Sequence, residues 1–417
     1  MISYEEAQKL ITEHIAPLKT TKLPVWEAEG FVLAEDTYAR IDVPSVSVSL
    51  KDGFAVRAKD VANASQETPV RLKLLGEIFA GGEKGLVLKP KTCIRITAGA
   101  PVPEGASAVL AEEFARADGD TVLAFADAPP GKNILPRGQD LTRGKPLLPK
   151  GTLLFPPEVG LLAGAGFGEV EVFAKPKVHI LATGDEVVAP GQPLSEGKIY
   201  ASNLVTLCSW CRHFGLATTY AVEKDEEGVI RAHMEKSLAE TDVLITSGGA
   251  WKGPKDLVHR VLKALGWEEI FHYVRIGPGK AVSFGKLGKK IIFCLPGGPP
   301  SNQMAFLNLA LPGILRLAGW QNGPFPWVFA KLTQSLSGQE DWTQFFLGKV
   351  FIEKDEMWFE PLPPKSRLSY LANAEALATL PEGKTSLEEG ETIKIKLLKW
   401  PLNESRACGN KKSDDNV

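Results

Sequence analysis

The chain has 417 residues, 44% of them hydrophobic and 24% charged, with a formal net charge of -2. At roughly 150 residues per domain this length predicts about three domains, each able to bury a sizeable core. The near-zero charge excludes a global basic field for holding nucleic acid, although local lysine clusters can still bind a small anion.

No apolar run approaches the ~18 to 20 residues of a membrane span. The start, MISYEEAQKLITEHI, is acidic and amphipathic, where a signal peptide needs a basic start and an apolar run. The expected location is therefore the cytoplasm, with no membrane or nucleic-acid partner.

In chain order, residues 1 to about 23 read as an amphipathic helix with Ile2, Ala7, Leu10, Ile11 and Ile15 on one side. Residues 45 to about 139 hold short β runs broken by Gly and Pro, such as RLKLLGEIFAGG, TCIRITAGAPVPEG and TVLAFAD. They predict an all-β, barrel-like insert. Residues 141 to 174 return to mixed structure. There GAGFG, Gly164 to Gly168, follows a helix-like run and precedes the β-like EVEVF. A dinucleotide fingerprint needs the opposite order, so the segment reads as a helix-to-strand turn.

From Lys175 strands and helices alternate: KVHILATGDE, NLVTLCSWCRHFG, a strand leading to acidic residues, GVIRAHMEKSLAET, DVLITSGG, LVHRVLKALG, the strands HYVRI, KAVSF and KIIFCLPGG, and the helix SNQMAFLNLALPGILRLAG. This pattern predicts a three-layer α/β domain with a largely parallel sheet. QNGPFPW, from Gln321, reads as a linker. Residues 327 to about 400 are strand-rich, and the polar tail NESRACGNKKSDDNV is expected to be disordered.

Five cysteines in a chain this long are no disulfide framework. Cys208 and Cys211 form a CxxC at helical spacing, which puts both thiols on one face. A redox or metal pair is one reading; two small buried hydrophobes is the favoured one, because no second CxxC exists.

In open α/β sheets, ligands bind beyond the carboxyl ends of the strands. Three loops leave such ends: ATGDEVVAPG (Ala182 to Gly191), TSGGAWKGPKD (Thr246 to Asp256) and LPGGPPSNQ (Leu295 to Gln303). Gly184, Gly248, Gly249, Gly297 and Gly298 let backbone approach a ligand closely. N–H groups there, and at the starts of following helices, favour phosphate or a flat polar ring. Asp185, Glu186, Asp225 and Asp256 supply hard oxygens suited to Mg²⁺ bridging phosphates. Lys252, Lys255, Arg275 and Lys280 supply charge for an oxyanion. Together the loops point to a phosphorylated, heterocyclic ligand with a divalent metal, and the lack of GxxxxGK followed by Ser or Thr excludes an ordinary P-loop kinase.

The motifs resemble the MoeA family of molybdopterin molybdenumtransferases, related to the gephyrin and Cnx1 E domains, over nearly the whole chain. SLKDGFAVRAKD, CIRITAGAPVPEGASAVLAEE, NILPRGQDLTRG, ATGDEVVAPG, TSGGAWKGPKD, IGPGKAVSFGKL, LPGGPPSN and SRLSYLANAEALATLPEG follow in the family's order. The resemblance implies a multidomain α/β and β fold: a discontinuous first domain (1–44 and 140–174), a β-rich second domain (45–139), a MoaB/Mog-like three-layer α/β third domain (175–325) and a small β-barrel (326–400), followed by a tail (401–417). It also implies a homodimer, and contact with other molybdenum cofactor biosynthesis proteins. The implied reaction is insertion of molybdate into the dithiolene of adenylylated molybdopterin, with Mg²⁺-dependent release of AMP.

Carried over position by position, the resemblance implies catalytic roles for Asp52, Asp140, Glu186 and Lys280. It implies substrate contacts at Thr183, Gly184, Asp185, Ser247, Gly248, Gly249, Pro296, Gly297, Gly298, Pro299, Ser366 and Arg367, and metal ligation by Asp225 and Asp256. Asp52 and Asp140 would face the site from the other subunit. The chain departs from the family pattern where Gly277 replaces a lysine, Ala98 a threonine, Trp251-Lys252 small residues, Gly298 an asparagine and Ala201 an acid. Arg275, two residues before Gly277, is a candidate to replace the lost charge. Several of these departures surround the oxyanion and pterin pockets, so a paralogue with shifted oxyanion (tungstate) or pterin specificity, and a non-catalytic molybdopterin-binding scaffold, stay as alternatives.

Overall fold

The computed structural model describes residues 1–82, 85–249, 257–363 and 367–399. The chain divides into two compact units: Lys22–Glu29 with Leu33–Val172, and Met1–Thr21, Gly30–Val32 and Phe173–Val417. The tail from residue 400 lies outside the described residues.

In the smaller unit a six-stranded sheet runs Ala108–Ala111, Gly53–Val56, Thr92–Ile96, Val70–Ile78, Thr121–Ala124 and Ala115–Asp118. Its strands Gly53–Val56 and Ala108–Ala111 are apolar and buried throughout, because both of their faces are covered. Phe54, Val56, Cys93 and Leu110 pack into one cluster. The alternating Ala55, Ile94, Ile96 and Val109 pack into another. The expected barrel closure is absent: among the described residues no pairing joins the edge strands Ala108–Ala111 and Ala115–Asp118. The GAGFG segment is the predicted turn, between the helix Pro156–Gly164 and the strand Glu169–Phe173, with Gly166 at φ +93°.

The larger unit opens with the helix Tyr4–His14, capped by the Ser3 side chain, which accepts from Glu6 N. The helix is shorter than the periodicity predicted, and Thr20–Pro24 is a strand. Pro17 is the reason, because it has no N–H to continue the helical ladder and disfavours helical backbone at Ala16.

Six strands form the central sheet: β1 (Val178–Thr183), β2 (Thr218–Glu223), β3 (Val243–Ser247), β4 (Glu268–His272), β5 (Ser283–Leu287) and β6 (Lys290–Leu295), in the order β2-β1-β3-β6-β5-β4. β2, β1, β3 and β6 are mutually parallel, and β5 and β4 pair antiparallel. Side chains alternate between two layers. Ile180, Ile245 and Phe293 pack with the helices Tyr4–His14, Ser202–His213 and the segment Pro299–Leu317. Leu181, Leu244 and Ile292 pack with the helices Glu227–Glu240 and Leu257–Ala264. A period of two that feeds apolar groups to both faces is what a three-layer sandwich demands.

Beyond the linker, β7 (Trp327–Leu332), β8 (Thr343–Glu353), β9 (Glu356–Pro361), β10 (Ala376–Leu380) and β11 (Thr392–Leu397) close a five-strand barrel in the ring order β7-β9-β8-β10-β11. Phe359, Ala378, Leu380 and Ile395 fill it. No helix among the described residues is long and apolar enough to cross a membrane.

Cys208 and Cys211 sit on the buried face of the helix Ser202–His213, and burial raises both thiols, Cys211 to about 12. Thiolate is the reactive form. In a Cys408→Ala background we therefore expect no thiol to react with Ellman's reagent in the native protein, and four equivalents after unfolding, because Cys93, Cys208, Cys211 and Cys294 are all buried. A fast-reacting pair would restore the redox reading.

Candidate functional site

The parallel register places four strand ends side by side. Thr183 pairs with Glu223, Ala182 with Ser247, and Ser247 with Leu295. The segments that follow (Gly184 to Glu186, Lys224 and Asp225, Gly248 and Gly249, and Pro296 to Pro299) thus leave one edge of the sheet together. The loops are tied by backbone. Gly184 N donates to Glu223 O at 3.3 Å and Gly248 N to Leu295 O at 3.1 Å. Gly248 has φ +101°, and a Cβ there would stand 2.9 Å from Thr183 O. Only glycine combines that conformation with that approach.

Side chains absent from the sequence-based set hold the edge. Asn302, almost wholly buried, donates to Ser247 Oγ at 3.1 Å and Pro296 O at 2.9 Å, clamping the second loop to the third. Its signal was a polar residue on the helical face otherwise formed by Ala305 and Leu309. Asn203 donates to Gly297 O at 2.8 Å. Lys198 donates to the Asp185 carbonyl at 2.7 Å. His259 contacts Gly249 O at 3.0 Å through Nδ1 and Ser283 Oγ at 2.9 Å through Nε2. A carbonyl only accepts, so Nδ1 carries the proton and, in the neutral ring, Nε2 accepts from the serine.

Asp185, Glu186 and Asp225 are exposed at this edge, and Asp225 N donates to Asp185 Oδ1 at 3.3 Å. The Asp225 carboxyl is raised, first by partial burial and then by the neighbouring Asp185 and Glu186 charges. Hard carboxylate oxygens that repel one another are a donor set for a hard divalent cation. Among the described residues a tighter group, His259, Glu269 and His272, has potential ligand atoms within 4.8 Å of one another. It is a packing motif: the two imidazoles stack at 4.6 Å and 13°, and lone pairs in near-parallel planes do not converge on one ion.

The remaining predicted residues are placed as follows. Thr183 is buried at the end of β1. Gly298 caps the helix that Pro299 begins. Lys280 is exposed, with Nζ 5.6 Å from the Trp342 ring centroid. Arg367 is exposed at the start of the helix Arg367–Asn373. Trp251, Lys252, Lys255, Asp256 and Ser366 lie outside the described residues. Arg275 does not offer the free charge considered for it. It donates to Glu382 Oε1 at 2.6 Å and to Asp341 O at 3.1 Å, an ion pair to the loop after β10.

Asp52 and Asp140 belong to the smaller unit. Asp52 Oδ1 accepts Ala98 N at 2.9 Å, so this carboxylate fixes the TAGAP segment. Asp52 and Gly53 line a cavity of about 280 Å³ with Glu77, Arg95, Thr97 and Glu112. Asp140 is exposed, and its N–H donates to Val43 O at 2.9 Å.

Family models for the MoeA N-terminal region (domain I and II), a probable molybdopterin binding domain and the MoeA C-terminal region (domain IV) match residues 2–166, 179–316 and 330–398. The chain is 30% identical over 408 residues to molybdopterin molybdenumtransferase 2 of Mycobacterium tuberculosis, covering 96% of this chain and 100% of that one. It is 32% identical over 385 residues to the molybdopterin molybdenumtransferase of Bacillus subtilis, covering 88% and 89%. The crystal structure of a molybdopterin biosynthesis MoeA protein from Pyrococcus horikoshii superposes with a TM-score of 0.81 at 32% identity, covering 96% and 99%. With its motif order, its three-layer sheet, its C-terminal barrel and these full-length matches, the chain belongs to the MoeA family of molybdopterin molybdenumtransferases.

Proposed function

We propose that the chain is a molybdopterin molybdenumtransferase of molybdenum cofactor biosynthesis. It takes adenylylated molybdopterin and molybdate and releases AMP and the molybdenum-loaded cofactor. The observation that carries this is the shared strand edge, where glycine loops held by Asn302 stand beside the carboxylates of Asp185, Glu186 and Asp225.

In this reading the Thr183-Gly184-Asp185, Ser247-Gly248-Gly249 and Pro296-to-Pro299 loops present backbone to the pterin and its phosphates. Asp225 and Asp256 would hold Mg²⁺, which would supply charge neutralisation at the phosphoanhydride. Glu186 serves as a catalytic carboxylate, and Lys280 with Ser366 and Arg367 holds the molybdate dianion. Asp52 and Asp140 of the partner subunit complete the site in a cytoplasmic homodimer, and other cofactor-biosynthesis proteins deliver the pterin and receive the product. The domain division is the one read from the motifs: 1–44 with 140–174, then 45–139, 175–325 and 326–400.

AMP release from adenylylated molybdopterin with Mg²⁺, with and without molybdate, tests the reading. Oxyanion-dependent release is expected; stoichiometric pterin binding without release would instead mark a scaffold. Asp225→Asn is expected to weaken Mg²⁺ binding at least tenfold by calorimetry, independently of turnover. Unchanged Mg²⁺ affinity would remove Asp225 from the ligand set.

The ion pair of Arg275 with Glu382, together with Gly277 where the family has lysine, favours a second reading in which oxyanion preference is shifted. Competition between molybdate and tungstate decides it, and a clear molybdate preference ends the tungstate version.

A further inference from the structure

The larger unit holds a second cavity of about 260 Å³, and none of its lining residues belongs to the glycine loops. Its chemistry begins with a helix defect. Pro312 has no N–H to donate to the carbonyl of Asn308, four residues back. Phe306–Ala310 widens into a π-turn, a feature often found at functional sites, and the Tyr4 hydroxyl approaches the Asn308 carbonyl at 3.5 Å.

The Asn308 side chain then spans two partners. Nδ2 donates to Met304 O at 3.0 Å, and Oδ1 accepts from Lys396 Nζ at 2.7 Å. Lys396 Nζ also lies 5.0 Å from the Trp327 ring centroid, and Lys394 Nζ approaches the same ring at 4.8 Å. Burial lowers the Lys396 ammonium to about 8. Arg316 also lines the cavity, with Nε donating to Ile15 O at 2.8 Å. Among the described residues no Asp or Glu lines the cavity. A partly desolvated ammonium answered by a neutral amide and a ring face, with no carboxylate, is a costly arrangement that an anion would relieve.

Shape limits the anion. The cavity falls below the ~300 to 1,000 Å³ of drug-sized ligand sites, so it takes one or two rings and excludes an adenylylated pterin. Trp320 and Trp327 supply aromatic surface.

We propose that this cavity binds a small aromatic anion, a carboxylate or phosphate, with its charge against Lys396 and Arg316 and its ring against the two tryptophans. The site is separate from pterin and oxyanion chemistry, so it would add an effector or second-ligand function to the protein.

Calorimetric titration of the full-length protein with indole-3-carboxylate and with phenyl phosphate tests it, and the tighter of the two identifies the head group. Binding of one equivalent is expected below about 1 mM at pH 7, with the neutral indole-3-carboxamide at least tenfold weaker. Lys396→Met and Trp327→Ala should each weaken the anion at least tenfold while leaving AMP release unchanged. Affinity should fall between pH 7 and pH 9 as Lys396 loses its proton; Arg316, the other charged lining residue, is cationic, as is Lys394 beside the Trp327 ring. Anions that bind no tighter than the carboxamide, or a Lys396→Met variant with full affinity, would overturn the proposal.

Discussion

Gly248→Ala is expected to lower molybdate-dependent AMP release by about 100-fold, the scale of a roughly 1 Å misplacement at a reacting site. Two observations set the size. The backbone at Gly248 has φ +101°, where an L side chain is strained, and the added Cβ would stand 2.9 Å from the Thr183 carbonyl. Strain of that kind costs about 1–3 kcal/mol. It can be relieved only by moving the second loop off Leu295 or the first off Glu223, which breaks the shared edge. Gly160→Ala, in the helix Pro156–Gly164, is the control, because its Cβ would meet nothing within 4 Å. Kinetics and thermal melts of both variants check this; equal activities would show that loop spacing does not matter.

Lys396→Met is expected to stabilise the protein by about 1–2 kcal/mol at pH 7. Moving an ammonium from 10.5 to about 8 corresponds to roughly 3 kcal/mol against the charged form, at about 1.36 kcal/mol per pKa unit. The lost hydrogen bond to Asn308 and the lost ring contact with Trp327 together return about 1–2 kcal/mol of that. The pH dependence follows from the lowered value. Below pH 8 both folded and unfolded chains carry the proton, and the burial penalty is felt in full. Between pH 8 and 10.5 the folded chain releases it first, so the unfolded state binds more protons and wild-type stability gains from this group as pH rises. The advantage of the Met variant should therefore shrink from pH 7 to pH 10 in chemical denaturation. A difference that does not change with pH would mean that the lysine charge is not what destabilises.

Much of the site edge was legible because its signals are local. An apolar run followed by Gly-Gly or Gly-Asp marks a strand that ends where backbone is exposed, and three such runs placed Gly184, Gly248 and Gly297 on one edge before any contact was known. The layer alternation of Ile180 against Leu181, or Ile245 against Leu244, is a property of neighbouring residues, and so the three-layer sheet could be read. The first helix was read too long because the apolar spacing continues past His14, while the backbone constraint of Pro17 ends the ladder.

What the amino-acid order determined by itself was element type, the strand-end loops and the chemistry they display, since periodicity and glycine placement act within a few residues. Tertiary structure alone decided which polar groups are committed. Arg275 pairs with Glu382, 107 residues away. Asn302 reaches back 55 residues to Ser247. Lys396 is half-buried beside Asn308, 88 residues before it. It also decided that the insert's sheet stays open while the C-terminal strands close into a ring. Hydrogen-bond partners and edge pairings are chosen by which surfaces meet when the chain packs, and no local pattern encodes that meeting.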